Sequence, residues 1–411
     1  MQRRELSRDF DKDTLMAAPD KTRSGGWPLF VGAYSFFVVM AGATVPTPLY
    51  PIYAEVYGFS PFIITLIFAV YSVGVVGALL TTGPWSDEIG RKPLLLGGLV
   101  AAAVSLVIFA VAQGLWLLLL ARFLQGVSVG IYAAAATVAV TEMGPDDRPR
   151  LSAVLSTVAN MGGLGAGPIL GALVLVLLPA PLVAPYLVQL ALVAVGLALL
   201  WSVAEPNPPA EKHKLKVQGL AIPHEVRGVM VPAAISAFAG FMVCGFLGAS
   251  APSFLGKVLG HDGEHLLIGF AAGLIFLTSC IAQVFEEAIP DRIVLPLGMG
   301  VLAVGLTGIT AAIWFESLWA FLVTVGFAGL GHGLAFKGGL SAVSEAAPED
   351  QVSAVTATYF TIAYVAISIP VLIIGATEQA FGLHLVATLY GAVSAVLSFV
   401  AFVLILRRKD D

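Results

Sequence analysis

The sequence predicts an all-α integral membrane protein with twelve transmembrane helices in two pseudo-symmetric six-helix bundles. Three observations carry that prediction. First, 58% of the 411 residues are hydrophobic and only 11% are charged, with a mean hydropathy of +0.93, whereas soluble domains carry roughly 25% charged residues. Second, the apolar residues form long blocks without the polar face that a soluble helix needs. Third, landmarks of the first half of the chain return in the second half.

Residues Met1 to Gly26 contain Arg3, Arg4, Arg8, Lys12, Lys21 and Arg23 interleaved with Asp9, Asp11, Asp13 and Asp20. They hold no apolar run, so residues 1–26 are expected to be a solvated tail rather than a signal peptide. Twelve blocks follow, each long enough to cross a core of ~30 Å at ~1.5 Å per residue. They run approximately over residues 27–46, 61–82, 93–113, 115–141, 151–178, 181–203, 229–254, 266–285, 293–314, 318–343, 352–375 and 383–406. Membrane strands need only ~10 residues and alternate in polarity, so these lengths mean helices.

The longest polar interruption, residues 204–228, holds Pro206, Pro208, Pro209 and the charge run Glu211 to Lys216. It divides a bundle at 27–203 from one at 229–406, with residues 407–411 as a second tail. The repeat supports the division. Thr141-Glu142-Met-Gly-Pro145 precedes Ser152-Ala153-Val154, and Ser344-Glu345-Ala-Ala-Pro348 precedes Ser353-Ala354-Val355. Arg91 and Gly97 likewise return as Arg292 and Gly298.

Orientation follows from the basic residues. With both termini inside, 18 of the 21 Lys and Arg fall on the cytoplasmic side, Lys257 lies outside, and Arg122 and Lys337 lie within helices. The bias toward one side places both termini in the cytoplasm and the chain in a plasma (inner) membrane.

Between the second and third blocks the chain reads Gly83-Pro-Trp-Ser-Asp87-Glu-Ile-Gly90-Arg91-Lys92-Pro93, expected to be a tight polar loop. Glycine permits close turns, the cations mark the water boundary, and Pro93 suits a first helical turn. The pattern Gly83-x-x-x-Asp87-x-x-Gly90-Arg91-Lys92 resembles the loop signature of the major facilitator superfamily of secondary transporters, specifically its twelve-helix drug/proton antiporter branch. That resemblance implies alternating access around a midplane cavity, with Asp87 and Arg91 latching the cytoplasmic side. Glu349 and Asp350 are the expected partners of Arg91.

In the fifth block Gly163, Gly167 and Gly171 are spaced by four and line one face, and Pro168 removes a backbone hydrogen bond. This resembles the glycine-proline signature of the family's antiporters, which places the fifth helix at the interface between halves. The same glycines are not a nucleotide loop, because no strand precedes them. Arg122, in Arg122-Phe-Leu-Gln125-Gly126, lies about seven residues, or ~11 Å, from the outer end of its helix. A charge at that depth faces a cavity or a partner. The segment is similar to the family's fourth-helix arginine motif, which implies a part for Arg122 in proton coupling.

Lys337 shares a face with Gly329, Gly333 and Ser341, and is expected to be a second unpaired cation at the centre, able to exchange a proton. His332, off that face, titrates near neutrality in water. The first block contains no Asp or Glu, where many multidrug antiporters of this resemblance carry an acid, and Glu142 near a helix end is the only acid close to a first-half core. Two cations without a carboxylate favour a neutral or anionic substrate. Tyr34, Asn160, Gln125, Gln189 and Gln283 offer neutral hydrogen bonds.

The expected function is therefore proton-linked efflux of small organic compounds, with uptake of an organic anion or metabolite by symport or facilitation as the alternative. No cofactor is expected beyond the proton as coupling ion. The six histidines lack paired spacing, so no metal is expected, and no enzymatic group is apparent. Cys244 and Cys280 read as packing residues. The expected partners are a small-molecule substrate and the lipid bilayer, with no nucleic acid, and the chain is expected to act as a monomer.

Overall fold

The structure is a computed structural model that describes residues 25–206 and 217–407, and of Pro84 and Asp87 only the backbone. The expected tails at 1–24 and 408–411 and the charge run Glu211 to Lys216 lie outside the described residues. Among the described residues, twelve helices are long and apolar enough to cross a membrane.

They are α1 (Gly26–Thr44), α2 (Pro61–Ile89), α3 (Arg91–Val111), α4 (Leu115–Met143), α5 (Pro149–Leu177), α6 (Ala184–Trp201), α7 (His224–Ala249), α8 (His265–Phe285), α9 (Asp291–Trp314), α10 (Leu318–Glu345), α11 (Val352–Phe381) and α12 (Leu383–Arg407). Short caps match the sequence: Ser60 accepts from the amide of Ile63 and Ser317 from that of Ala320. An even number of crossings leaves the first and last described residues on one side, here called the terminal face; the other is the far face.

The polar stretch Gly83 to Pro93 is not the expected loop. α2 continues to Ile89 and α3 begins at Arg91, leaving Gly90 alone between them at φ 95°. Polarity there marks the exit from lipid, whereas the helix itself stops only where a glycine supplies a positive φ. Gly90 also faces the Glu205 carboxylate, 2.8 Å from where a Cβ would stand, but Gly83 faces open space and serves no close contact.

α1 ends early for a different reason. Pro46 and Pro48 interrupt it, and the chain continues as a 3-10 turn, Thr47–Leu49, and a short helix, Tyr50–Tyr57. That short helix buries Tyr50 and Tyr53 on the far face, where the hydroxyls of Tyr53 and Tyr186 meet. Phe109 stacks on Tyr186 at 4.6 Å between ring centres. α5 is irregular as well, with a π turn at Val158–Gly162 ahead of Pro168.

Helices α1 to α6 pack chiefly on one another, as do α7 to α12, and two pairs join the sets: α2 with α11 and α5 with α8. The second pair is a backbone-to-backbone contact. A Cβ on Gly273 would lie 2.3 Å from the Gly165 carbonyl oxygen, and one on Gly269 would lie 2.5 Å from that of Pro168. Along the first pair, Ser368 bonds to Ser72, and Gly375 sits against Thr65. These contacts lie at midplane and toward the far face, which is closed.

Gly273→Val therefore forces α5 and α8 apart. Overpacking costs about 1–3 kcal/mol, so in a Cys244→Ala, Cys280→Ala background a cysteine at Thr47 should react about tenfold faster with an impermeant maleimide offered from the far face. An unchanged labelling rate would show that this contact does not hold the far face shut.

Candidate functional site

A cavity of about 50 Å³ lies at the centre, lined from both halves by Thr44, Thr47, Phe68, Tyr71, Arg122 and Leu164 on one side and Phe241, Cys244, Phe276, Tyr364 and Ile367 on the other. Among the described residues Arg122 is its one charged residue, and no carboxylate lines it. The side chain is 1% exposed, so its charge must be compensated inside the protein. Its guanidinium donates to the Ala43 carbonyl at 2.9 Å, to the Ile67 carbonyl at 3.4 Å and to the Gln125 side chain. It also lies 4.9 Å from the Tyr71 ring centre and 5.5 Å from that of Phe68.

These bonds follow from the proline break in α1. Pro46 has no N–H, so the Gly42 carbonyl four residues earlier loses its helical donor. The Gln125 amide takes that carbonyl, and Arg122 takes its neighbour at Ala43. Pro168 repeats the arrangement: it cannot serve the Leu164 carbonyl, which instead accepts the Thr44 hydroxyl at 2.8 Å.

The four-residue glycine row of α5 does not face the other half. Gly163 meets Phe37 and Met40, Gly167 meets Ala41 and Thr44, and Gly171 meets Val45, all on α1 or its extension. The contact with α8 uses Gly165 and the Pro168 carbonyl instead. Two helix faces a third of a turn apart thus share the work assigned by resemblance to one.

At the terminal face the expected pairing of Arg91 with Glu349 and Asp350 gives way to another. Arg91 is buried and holds Glu142 with two nitrogens, Nε to Oε2 at 3.2 Å and a terminal nitrogen to Oε1 at 3.3 Å, and it also donates to Ser86. Glu142 therefore sits in a clamp between α3 and α4, away from the central cavity. The Asp87 side chain lies outside the described residues. Glu205, which the sequence reading passed over, caps α3: its two oxygens accept the amides of Arg91 at 2.9 Å and Lys92 at 3.0 Å. A carboxylate at an exposed helix N-terminus meets both free N–H groups and the positive end of the dipole. The signal was a lone acid just past the end of the sixth block. Lys92 binds the carbonyls of Trp201 and Val203 at 3.0 and 2.6 Å, fastening the same junction.

The pattern that describes the Major Facilitator Superfamily matches residues 32–370. The chain belongs to the Major Facilitator Superfamily. Its similarity to individual members is lower. It is 28% identical over 309 residues to a chloramphenicol resistance protein of Pseudomonas aeruginosa, covering 71% of this chain and 70% of that one. It is 33% identical over 108 residues to the class D tetracycline resistance protein of Salmonella ordonez, covering 26% and 27%. A mouse protein named solute carrier family 2, facilitated glucose transporter member 6, is 36% identical over 97 residues, 23% of this chain and 20% of its own length. The tetracycline and mouse matches thus span about a quarter or less of those relatives.

Lys337 is not the unpaired central cation expected. Its Nζ lies 2.9 Å from Glu286 Oε2 and 3.2 Å from the Gln283 carbonyl, and the side chain is half exposed toward the terminal face. The row Gly329, Gly333, Lys337 faces α8 and its terminal-face extension, and nothing in the sequence spacing shows which acid lies opposite. His332 is fully buried, with Nδ1 3.2 Å from Ser279 Oγ and Nε2 3.9 Å from the Cys244 sulfur, its ring parallel to Phe336. Cys244 reaches the cavity wall; His332 stands one layer behind it.

The neutral candidates are dispersed. Tyr34 donates to the Leu192 carbonyl at 3.1 Å and the Gln189 amide to that of Val38 at 2.7 Å, both inside the first half. Gln283 donates to Ser279 at 3.2 Å, and Asn160 is half-buried in the π turn of α5. Of the residues singled out for substrate or proton handling, only Arg122 lines the central cavity. Cys244 and Cys280 are both free and buried.

Gln125→Leu should lower stability by about 1–3 kcal/mol by stranding the Gly42 carbonyl. Adding Pro46→Ala returns an N–H four residues on and should recover part of that loss. Thermal unfolding in detergent, compared across the two single variants and the double, checks this; strict additivity would show that the carbonyl is not the link.

Proposed function

We propose that the protein exports small organic compounds, uncharged or anionic, in exchange for protons by alternating access. The observation that carries this reading is the central cavity: it is bounded by both halves and contains a compensated cation and no carboxylate. A cationic drug would meet repulsion there without a partner, whereas an aromatic, uncharged compound would meet Phe68, Tyr71, Phe241, Phe276 and Tyr364. The match across 70% of a chloramphenicol resistance protein supports export of such a compound.

The terminal face is the cytoplasmic one on this reading, because the basic residues crowd there. The chain works as a monomer, with no enzymatic step and no cofactor beyond the coupling proton. The Arg91–Glu142 clamp latches the cytoplasmic ends of α3 and α4, and Arg122 keeps the broken α1 registered against α4. Proton movement uses His332, one layer behind the cavity wall, and the Lys337–Glu286 pair nearer the terminal face. The second reading, downhill uptake of an uncharged metabolite, draws support from the match to a facilitated glucose transporter.

Reconstituted inside-out vesicles separate the two. Export predicts that a proton gradient, acid inside, drives accumulation of an uncharged aromatic compound such as chloramphenicol, with proton release from the lumen. His332→Asn and Lys337→Gln should each cut the gradient-driven component about tenfold or more while leaving downhill counterflow. Gradient-independent equilibration in every variant would favour facilitation, and wild-type flux in both variants would remove these residues from proton handling.

A further inference from the structure

A second cavity, about 240 Å³, opens between the halves on the terminal face. One wall is Leu79, Gly83 and Arg91 with small residues of α4; the other is Ser353, Thr356 and Phe360 on α11; Gln218 stands over it. It shares helix faces with the central cavity. On α11, Phe360 lines the outer space and Tyr364, one turn on, lines the inner; on α2, Leu79 and Tyr71 stand two turns apart in the same relation. The Tyr71 and Tyr364 rings, one from each half, sit 6.4 Å apart between the two spaces.

The lining is chemically selective. Among the described residues Arg91 is its one charged residue, and it is already bound to Glu142 and Ser86. An anionic ligand would have to compete with Glu142, and among the described side chains of the wall a cation would find no acid. What remains for a ligand are the Ser353 hydroxyl, the spare hydrogen-bonding capacity of the Thr356 hydroxyl, which lies 3.3 Å from Ser344 Oγ, and the Gln218 side-chain amide, opposite apolar surface from Leu79, Phe360 and alanines. A mixed cleft with a few neutral donors and acceptors is the form of a small-molecule site.

The cover is fixed by backbone chemistry. Pro84 has no N–H for the Leu80 carbonyl, and the Gln218 backbone N–H donates to that oxygen at 2.6 Å. Three residues on, Ala221 exchanges two hydrogen bonds with Thr358 of α11, its N–H donating at 3.0 Å and its carbonyl accepting at 3.1 Å. The segment 218–221 is thus tied to α2 at one end and α11 at the other, across the mouth.

We propose that this vestibule is a reception site for uncharged amphiphiles bearing hydroxyl or amide groups, closed over by the segment 218–221 and separated from the central cavity by Tyr71 and Tyr364. The proposal rests on the export reading for its place in a pathway, but binding itself needs no gradient. The probe is a benzophenone carrying a glycerol ether, uncharged with two hydroxyls, beside its trimethylammonium and sulfonate analogues. Each is photolysed on the full chain in lipid nanodiscs, and labelled peptides are mapped.

The neutral probe should label peptides spanning Ser353 to Phe360 and Gln218 saturably, and the charged analogues about tenfold less. Ser353→Trp, which fills the space, should abolish that labelling and leave lipid-facing labelling unchanged. Gln218→Lys, on the surface segment, keeps the fold out of question and should shift preference to the sulfonate. Equal labelling by all three probes, or labelling indifferent to both variants, overturns the proposal. Vestibule labelling without proton-linked flux in vesicles would sink the export reading and leave this site standing; flux with no vestibule labelling would do the reverse.

Discussion

The structure depends on one constraint: inside a bilayer a backbone carbonyl without a donor has no water to turn to. Several helix prolines create such carbonyls, and three of these carbonyls are caught each by a different element. Pro46 frees Gly42, taken by Gln125 of α4; Pro168 frees Leu164, taken by Thr44 of α1; Pro84 frees Leu80, taken by Gln218 of the connecting segment. Each of these three breaks is therefore also a cross-tie. The prolines give local freedom to α1, α5 and α2, and the captured carbonyls decide which neighbour each bend moves against.

The same constraint explains Arg122. A guanidinium this deep would be costly alone, but the end of α1 presents the Ala43 carbonyl, already turned away from a regular helix, and the Tyr71 and Phe68 rings lie beside it. The cation and the broken helix satisfy one another. Removing either costs the other a buried partner, so the position is fixed by structure as well as by any part in transport. A substrate reaching the cavity meets a positive charge whose donors are largely engaged, which gives polarity of field without a vacant bidentate site for a carboxylate.

Helix number and approximate bounds were legible because lipid demands about twenty apolar residues at a stretch, a signal local to each block. The stretch Gly83 to Ile89 was misread because polarity reports where lipid ends, while helix termination reports backbone geometry, and the two diverge by nearly two turns. Partner identity was the weak point. The face carrying Gly329, Gly333 and Lys337 could be read from spacing, yet Glu286 opposite it could not, since crossing helices bring together residues about fifty positions apart. Glu205 and Gln218 were hidden in a polar connection, where sequence gives composition but not the path of the chain.

The Arg91–Glu142 clamp bears on which state the molecule prefers. Both partners belong to the first half, so the clamp stiffens that half without holding the two together. Among the described residues, the ties between the halves on the terminal face include an ion pair of Arg150 and Glu287 at 2.7 Å, both largely exposed, and the segment 218–221. Exposed ion pairs contribute about 0–1 kcal/mol. On the far face the contact is helix backbone against helix backbone at Gly165 and Gly273, closely packed. The asymmetry means the terminal face separates more easily than the far face. Any ligand or proton that drives the protein to open on the far side must favour that state by more than these contacts supply.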